Sequence, residues 1–177
     1  GAEWSLQSYP NYKDYRDRNT VFSGLFIYRV VVSGLTVNNT SQRVWGYLVS
    51  GNYFDVLGVK PMLGRAFLPE EDQTPDSHPV AVISYNCWQR RFGGDPQVVG
   101  KTVQFNSHAF TIIGVAPKGF IGTEVAYDPE MFIPVMMAKT IEPGSRWLDR
   151  RDSNNLFTVG RLKPGVSFAQ AKVALET

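Results

Sequence analysis

The segment Gly94-Asp95-Pro96-Gln97-Val98-Val99-Gly100-Lys101-Thr102 ends in the Gly-Lys-Thr of a phosphate-binding loop. Such a loop turns consecutive backbone N–H groups toward a phosphate, and its Lys reaches the charge. The motif needs four residues between its glycines. This segment has five, with Asp95 where the first Gly would belong. A carboxylate in the cradle would repel the ligand. The context is also reversed, because the segment follows a helical pattern and runs into a strand pattern. It reads as a connecting turn, and no nucleotide is expected there.

Metal chemistry needs clustered ligands. His78 and His108 are thirty residues apart, and the chain has neither H-x-x-x-H nor C-x-x-C. The run Glu70-Glu71-Asp72 with Asp76 lacks the alternating oxygen spacing and central Gly of a calcium loop. It reads as a solvated acidic loop. Nucleophilic chemistry lacks the G-x-S-x-G elbow. The single cysteine, Cys87, stands beside Tyr85 and Trp88 with no nearby His, so it reads as a small buried hydrophobe. The expectation is no catalytic, metal-binding or cofactor-binding residue, and not an enzyme.

Composition narrows the classes further. The chain has 177 residues, 43% apolar and 13% aromatic, enough for a real core. Its 18 basic and 16 acidic residues leave a net charge of +2, so no nucleic-acid partner is expected. Arg90-Arg91 and Arg146 with Arg150-Arg151 read as solvated surface. No apolar run approaches the roughly 20 residues needed to span a bilayer. The best candidate, Phe26 to Val32, is interrupted by Arg29. The chain as it stands is expected to be soluble.

The elements that must hold these residues are short. Ser8 with Pro10 opens a helix carrying Tyr9, Tyr12 and Tyr15 on one face. Lys13 and Asp17 are spaced to pair, and Asn19 is expected to end the helix in the left-handed region. Leu25–Ser33 and Arg43–Val49 read as strands joined at Asn38-Asn39-Thr40. Ser50 is expected to cap a short helix with Tyr53, Phe54 and Leu57 inward and Gly58 closing it. Val80–Ile83 reads as a buried strand, and Ser84 starts a helix that stops at Gly93-Gly94. Thr102–Phe105 and Ala109–Val115 form a second hairpin across Asn106-Ser107-His108. Met131–Pro134 and Leu156–Leu162 are strands, and residues 140–155 carry no clear pattern. Ser167 with Gln170 forms a capping box for a last helix with Phe168, Ala171 and Leu175 on its apolar stripe. The mixture reads as α+β, with helices on mixed or antiparallel sheets. Trp45, Tyr47, Tyr53, Phe54, Trp88 and Phe92 are expected in the core, and Trp4 and Trp147 are the candidates for exposed contact.

Four blocks carry a family resemblance: VSGNYFDVLGVKPMLGR from Val49, PVAVISYNCWQRRFGGDPQVVGKTVQF from Pro79, FTIIGVAPKGFIG from Phe110 and VGRLKPGVSFAQAKVALE from Val159. In that order they resemble the extracytoplasmic core domain of MacB/FtsX-type ABC transporter permeases. The resemblance implies a porter-like core, about residues 1–82 and 133–177, with an inserted smaller α+β subdomain at about 83–132. It implies a position on the periplasmic side of the bacterial inner membrane. The implied partners are the domain's own flanking transmembrane helices, a cytoplasmic ATPase domain or subunit, a periplasmic adaptor protein, and a second copy in a dimeric transporter. The implied role is non-catalytic: coupling ATP hydrolysis to efflux or mechanotransmission. The matching residues, Gly51, Asn52, Tyr53, Phe54, Gly64, Arg65, Gly114, Arg161, Lys163 and Gly165, read as structural. The alternative is a secreted or periplasmic carbohydrate- or peptide-binding module, which requires the aromatics to line a surface groove.

Overall fold

A computed structural model describes residues 6–175. The strands are β1 (Leu6–Gln7), β2 (Phe22–Val37), β3 (Thr40–Val49), β4 (Leu63–Gly64), β5 (Val80–Ile83), β6 (Thr102–Phe105), β7 (His108–Val115), β8 (Pro129–Pro134) and β9 (Leu156–Leu162). The helices are α1 (Tyr9–Arg18), α2 (Tyr53–Leu57), α3 (Tyr85–Phe92), α4 (Ala138–Ile141) and α5 (Phe168–Leu175), with 3-10 turns at Pro69–Asp72 and Val135–Met137. Short helices on one mixed sheet make this an α+β fold.

Two tight hairpins organise the sheet. Asn38 and Asn39 both have positive φ, 49° and 63°, and Asn106 and Ser107 repeat this at 50° and 61°. Two successive left-handed residues give a turn whose twist matches that of the strands it joins. The turns therefore fix the register of β2 with β3, from Val37↔Thr40 to Tyr28↔Val49. They also fix β6 with β7, from Phe105↔His108 to Thr102↔Thr111.

Six strands close into a ring. β2 pairs β3, β3 pairs β8 in parallel, β8 pairs β5, β5 pairs β7 in parallel, β7 pairs β6, and β6 returns to β2. The closing contact is short, Leu35↔Phe105 and Thr36↔Gln104, and the Asn106 N–H extends it to the Gly34 carbonyl. Alternate residues of the six strands fall into one buried cluster that includes Val31, Leu35, Leu48, Ile83, Phe105, Phe110, Ile112 and Ile133. That period of two is what a closed sheet with a filled interior demands. β9 and β1 extend the sheet outward from β2, and β4 lies on β7. The segments expected as core and as insert both supply strands to the ring: β2, β3 and β5 from the first, β6, β7 and most of β8 from residues 83–132.

The opposite faces build a second core under α2. Phe157 on β9 stacks on Tyr28 at 5.1 Å, Tyr28 stacks on Tyr47 at 5.6 Å, and Tyr47 meets Phe132 edge-on at 5.7 Å. The row crosses β9, β2, β3 and β8. Tyr53, Phe54 and Phe120 close over it. Such ring pairs contribute roughly 0.5–1.5 kcal/mol each beyond area burial.

Several expectations need correction. Asn19 is extended, with φ −65° and ψ 146°, and it ends α1 through its amide: Nδ2 donates to the Arg16 carbonyl and Oδ1 accepts from Phe22 N–H. Asp17 pairs with Arg16, while Lys13 lies over the Tyr9 ring. Ser50 does not cap α2. Its hydroxyl accepts from Ile27 N–H and donates to Asn52 Oδ1, so it ties two strands rather than a helix. The acidic run is only partly solvated, since Glu71 is buried against Arg65 and the Leu68 N–H. Arg91 is no free surface cation, because it pairs with the buried Glu130. Trp147, expected to be exposed, is buried at 5% exposure, and Trp45, expected in the core, is 41% exposed. On the expected α5 stripe Phe168 is 66% exposed and Ala171 is buried; the side chain of Leu175 lies outside the described residues. Trp4 lies outside the described residues.

Candidate functional site

The chemical decoys resolve locally. Asp95 occupies its own turn: it accepts the Gln97 N–H and pairs with Lys101, and both contacts hold its carboxyl below the usual range. The lysine of the Gly-Lys-Thr sequence is therefore neutralised by the acid inside the same loop. His108 opens β7, with Nδ1 against the Asn106 carbonyl. His78 stands just before β5. Among the described residues no three His, Cys, Asp or Glu side chains come together in a way that could hold a metal ion. Cys87 is fully buried on α3, and desolvation, with Glu130 second, pushes its thiol upward. A neutral buried thiol is not a nucleophile.

What the sequence blocks bring together is a tightly pinned strand-to-helix junction. The turn from β3 into α2 is pinned from three sides. A Cβ on Gly51 would lie 2.7 Å from Asp72 Cβ, so glycine lets the 69–72 turn press against the chain. Asn52 Nδ2 donates to the Leu25 carbonyl at 2.7 Å. Tyr53 and Phe54 bury completely in the aromatic core. Gly58 closes α2 at φ 71°.

β9 is bolted to this junction. Arg161 Nε donates to the Val56 carbonyl at 2.7 Å, joining β9 to α2. Lys163 Nζ donates to the Thr20 carbonyl and its backbone N–H to the Val21 carbonyl, joining the approach to α5 with the exit of α1. Gly165, at φ 80°, turns the chain toward Ser167, whose hydroxyl and backbone complete the capping box with Gln170. Arg65 holds Glu71 through both terminal guanidinium nitrogens.

A third set of contacts locks the unpatterned segment. Arg29 on β2 grips Glu142 through Nε and NH2, donates to the Asn155 carbonyl and lies over the Trp147 ring. Trp147 Nε1 donates to the same Glu142.

One cleft of about 660 Å³ opens beside the junction, between α1, Gly51–Asn52, Asp55 and the 69–75 stretch. Its floor carries Asp72, whose Oδ1 is buried without a hydrogen-bond partner. Desolvation raises that carboxyl to about 6, against the opposing pull of the Gly51 backbone and Arg16.

A family model described as MacB-like periplasmic core domain matches residues 8–177. A macrolide export ATP-binding/permease protein, MacB, of Chlorobaculum tepidum is 32% identical over 146 residues, covering 82% of this chain and 20% of that protein. The MacB of Neisseria gonorrhoeae is 37% identical over 84 residues, 48% of this chain and 13% of that protein. The chain thus spans about a fifth or less of these curated relatives. The periplasmic region of MacB from Actinobacillus actinomycetemcomitans superposes with a TM-score of 0.76 at 19% identity, over 97% of this chain and 72% of that one. The extracellular domain of the transporter YknZ gives 0.70 at 18%, over 96% and 78%. At these identities the likeness is one of fold.

Proposed function

The chain belongs to the MacB-like periplasmic core domain family, and from that premise we propose that it couples cytoplasmic ATP hydrolysis, through the membrane, to efflux or mechanotransmission on the periplasmic side. It is a MacB-like periplasmic domain of an ABC transporter permease, and that family's domain is not the ATPase. No helix among the described residues is long and apolar enough to cross a membrane. The spanning helices and the ATPase would then be further parts of the same machine, with an adaptor and a second copy as its other partners.

The observation that supports the coupling reading is the fastening of β9 to α2 by Arg161, and of the segment just after β9 to the exit of α1 by Lys163. Motion entering near α5 reaches β9 within a few residues. From there it passes to α2 through one charge-assisted hydrogen bond and to the exit of α1 through another. In this reading the residues that carry the family resemblance hold a load path rather than a reactive centre.

Two measurements test it in the full-length protein. Asn39→Cys, at the exposed hairpin turn, should react with a membrane-impermeant maleimide in cells whose outer membrane is permeabilised. Labelling that needs lysis overturns the periplasmic placement. Arg161→Ala should leave ATP hydrolysis in place while lowering transport per ATP by about tenfold. An unchanged ratio overturns the load path.

A further inference from the structure

The cleft beside α1 has walls of opposite charge. α1 supplies Lys13 and Arg16, and the facing side supplies Asp55 from α2 and Asp72 from the 69–72 turn. Arg16 is already paired with Asp17, and Asp149 at the rim with Lys139. Lys13, Asp55 and Asp72 enter no salt bridge among the described residues. Tyr9, Phe67, Met136 and Leu148 also line the cleft and give it apolar surface. The volume falls within the roughly 300–1,000 Å³ usual for small-molecule sites.

We propose that this cleft binds a small zwitterion with an apolar body, its ammonium seated by Asp72 and Asp55 and its carboxylate by Lys13.

The arrangement of Asp72 supports the ammonium seat. Its carboxyl is held against the β3–α2 turn because residue 51 has no side chain, and its Oδ1 finds no partner within the chain. A partly buried carboxylate with one oxygen left without a donor takes a cation readily, since the cation offsets the desolvation that disfavours its charge. Lys13 stands over the Tyr9 ring with its ammonium unpaired by any acid. A ligand with one charge would satisfy one wall and be repelled by the other. A ligand with both satisfies each, and an apolar side chain fills the space between. The inference stands on the cleft alone and holds whether or not the domain transmits motion.

The probe is glycyl-L-phenylalanine, titrated calorimetrically into the 177-residue chain at pH 7.5. Saturable binding is expected with a dissociation constant below about 1 mM. Acetylating the amine should weaken it by about tenfold or more, as should Asp72→Asn. The N-acetyl compound should bind wild type and Asp72→Asn alike. Lys13→Gln, an exposed change that spares the fold, should abolish the preference for the free carboxylate over its amide. Affinity should fall as the pH drops from 7.5 to 5 and Asp72 protonates, with Lys13, Arg16, Asp55 and Asp149 as the other charges facing the ligand. Absence of saturation up to about 10 mM overturns the proposal. So does equal binding of the acetylated compound, or a Lys13→Gln variant that still discriminates.

Discussion

Gly64 and Gly114 are cross-strand partners whose backbones approach so closely that neither position has room for a side chain. A Cβ on Gly64 would lie 2.1 Å from the Ile113 carbonyl oxygen, and one on Gly114 would lie 2.4 Å from the Arg65 oxygen. The contact clamps β4 to β7. It sets Arg65 one residue past the clamp, where it reaches Glu71.

Gly114→Ala should therefore destabilise the domain by about 1–3 kcal/mol through overpacking. Gly64→Ala should cost at least as much, because its φ of 67° adds backbone strain. Denaturant midpoints at unchanged m-value check both. A midpoint within error of wild type would mean that β4 moves away freely.

Asp72 gives a pH prediction with a definite sign. Its folded carboxyl titrates near 6, above the roughly 3.9 of an unfolded Asp. Well below about pH 4 it is protonated in both states and costs nothing. As the pH rises through about 4 to 6, the unfolded chain releases the proton first, and the folded state loses up to about 3 kcal/mol in relative stability. Asp72→Asn removes that loss. The stability gap between variant and wild type should widen from pH 4 to 6.5 and stay flat above it. A gap that does not change with pH would contradict the buried, ionisable state of Asp72.

Arg29 and Glu142 pair beside the buried Trp147 but remain partly exposed themselves, so solvent screening limits what the ion pair contributes. Glu142→Gln keeps one acceptor for Trp147 Nε1 and removes the charge facing Arg29. About 1 kcal/mol of destabilisation is expected. Trp147→Ala removes a buried ring as well and should cost about 3–5 kcal/mol. Thermal unfolding should rank the two in that order.

Ala171 is buried near the middle of α5. Ala171→Pro removes a helical hydrogen bond, since the Ala171 N–H donates to the Ser167 carbonyl, and should cost about 3 kcal/mol locally. In the full-length permease the variant should hydrolyse ATP while transporting poorly. Full transport with a broken α5 would remove this helix from the coupling route.

Much of the fold was legible because local chemistry decided it. Paired left-handed residues at 38–39 and 106–107 announced both hairpins. Ser8 and Ser84 accept from Asn11 and Cys87 N–H groups, the caps their positions suggested. β9 runs from Leu156 to Leu162, the bounds read from the sequence. The order of blocks also placed Gly51 to Phe54 at a strand-to-helix junction. The ring closure was not legible, because two residue pairs between β2 and β6 leave no periodic trace. Nor were the two-residue strands β1 and β4, which exist only through their partners. The stretch around Trp147 has weak local preference and is ordered by Arg29, more than a hundred residues away. The cleft was invisible for the same reason, since its walls come from α1, residues 51–55, 67–75, 136 and 148–149. Asp72 in particular reads as a solvated acid until the turn that buries it is seen.

The closed circuit of six strands has a consequence for stiffness. An open sheet twists softly, because each strand can slide against a neighbour while the far edge stays free. In a hoop no stave slides alone: a shift between β2 and β3 must be absorbed at every other seam, including the two parallel ones at β3–β8 and β5–β7. β9 is fastened to one stave, β2, over Phe22 to Tyr28. A torque applied at that stave would meet resistance from all six seams at once, the response of a wheel on a short axle rather than of a hinge.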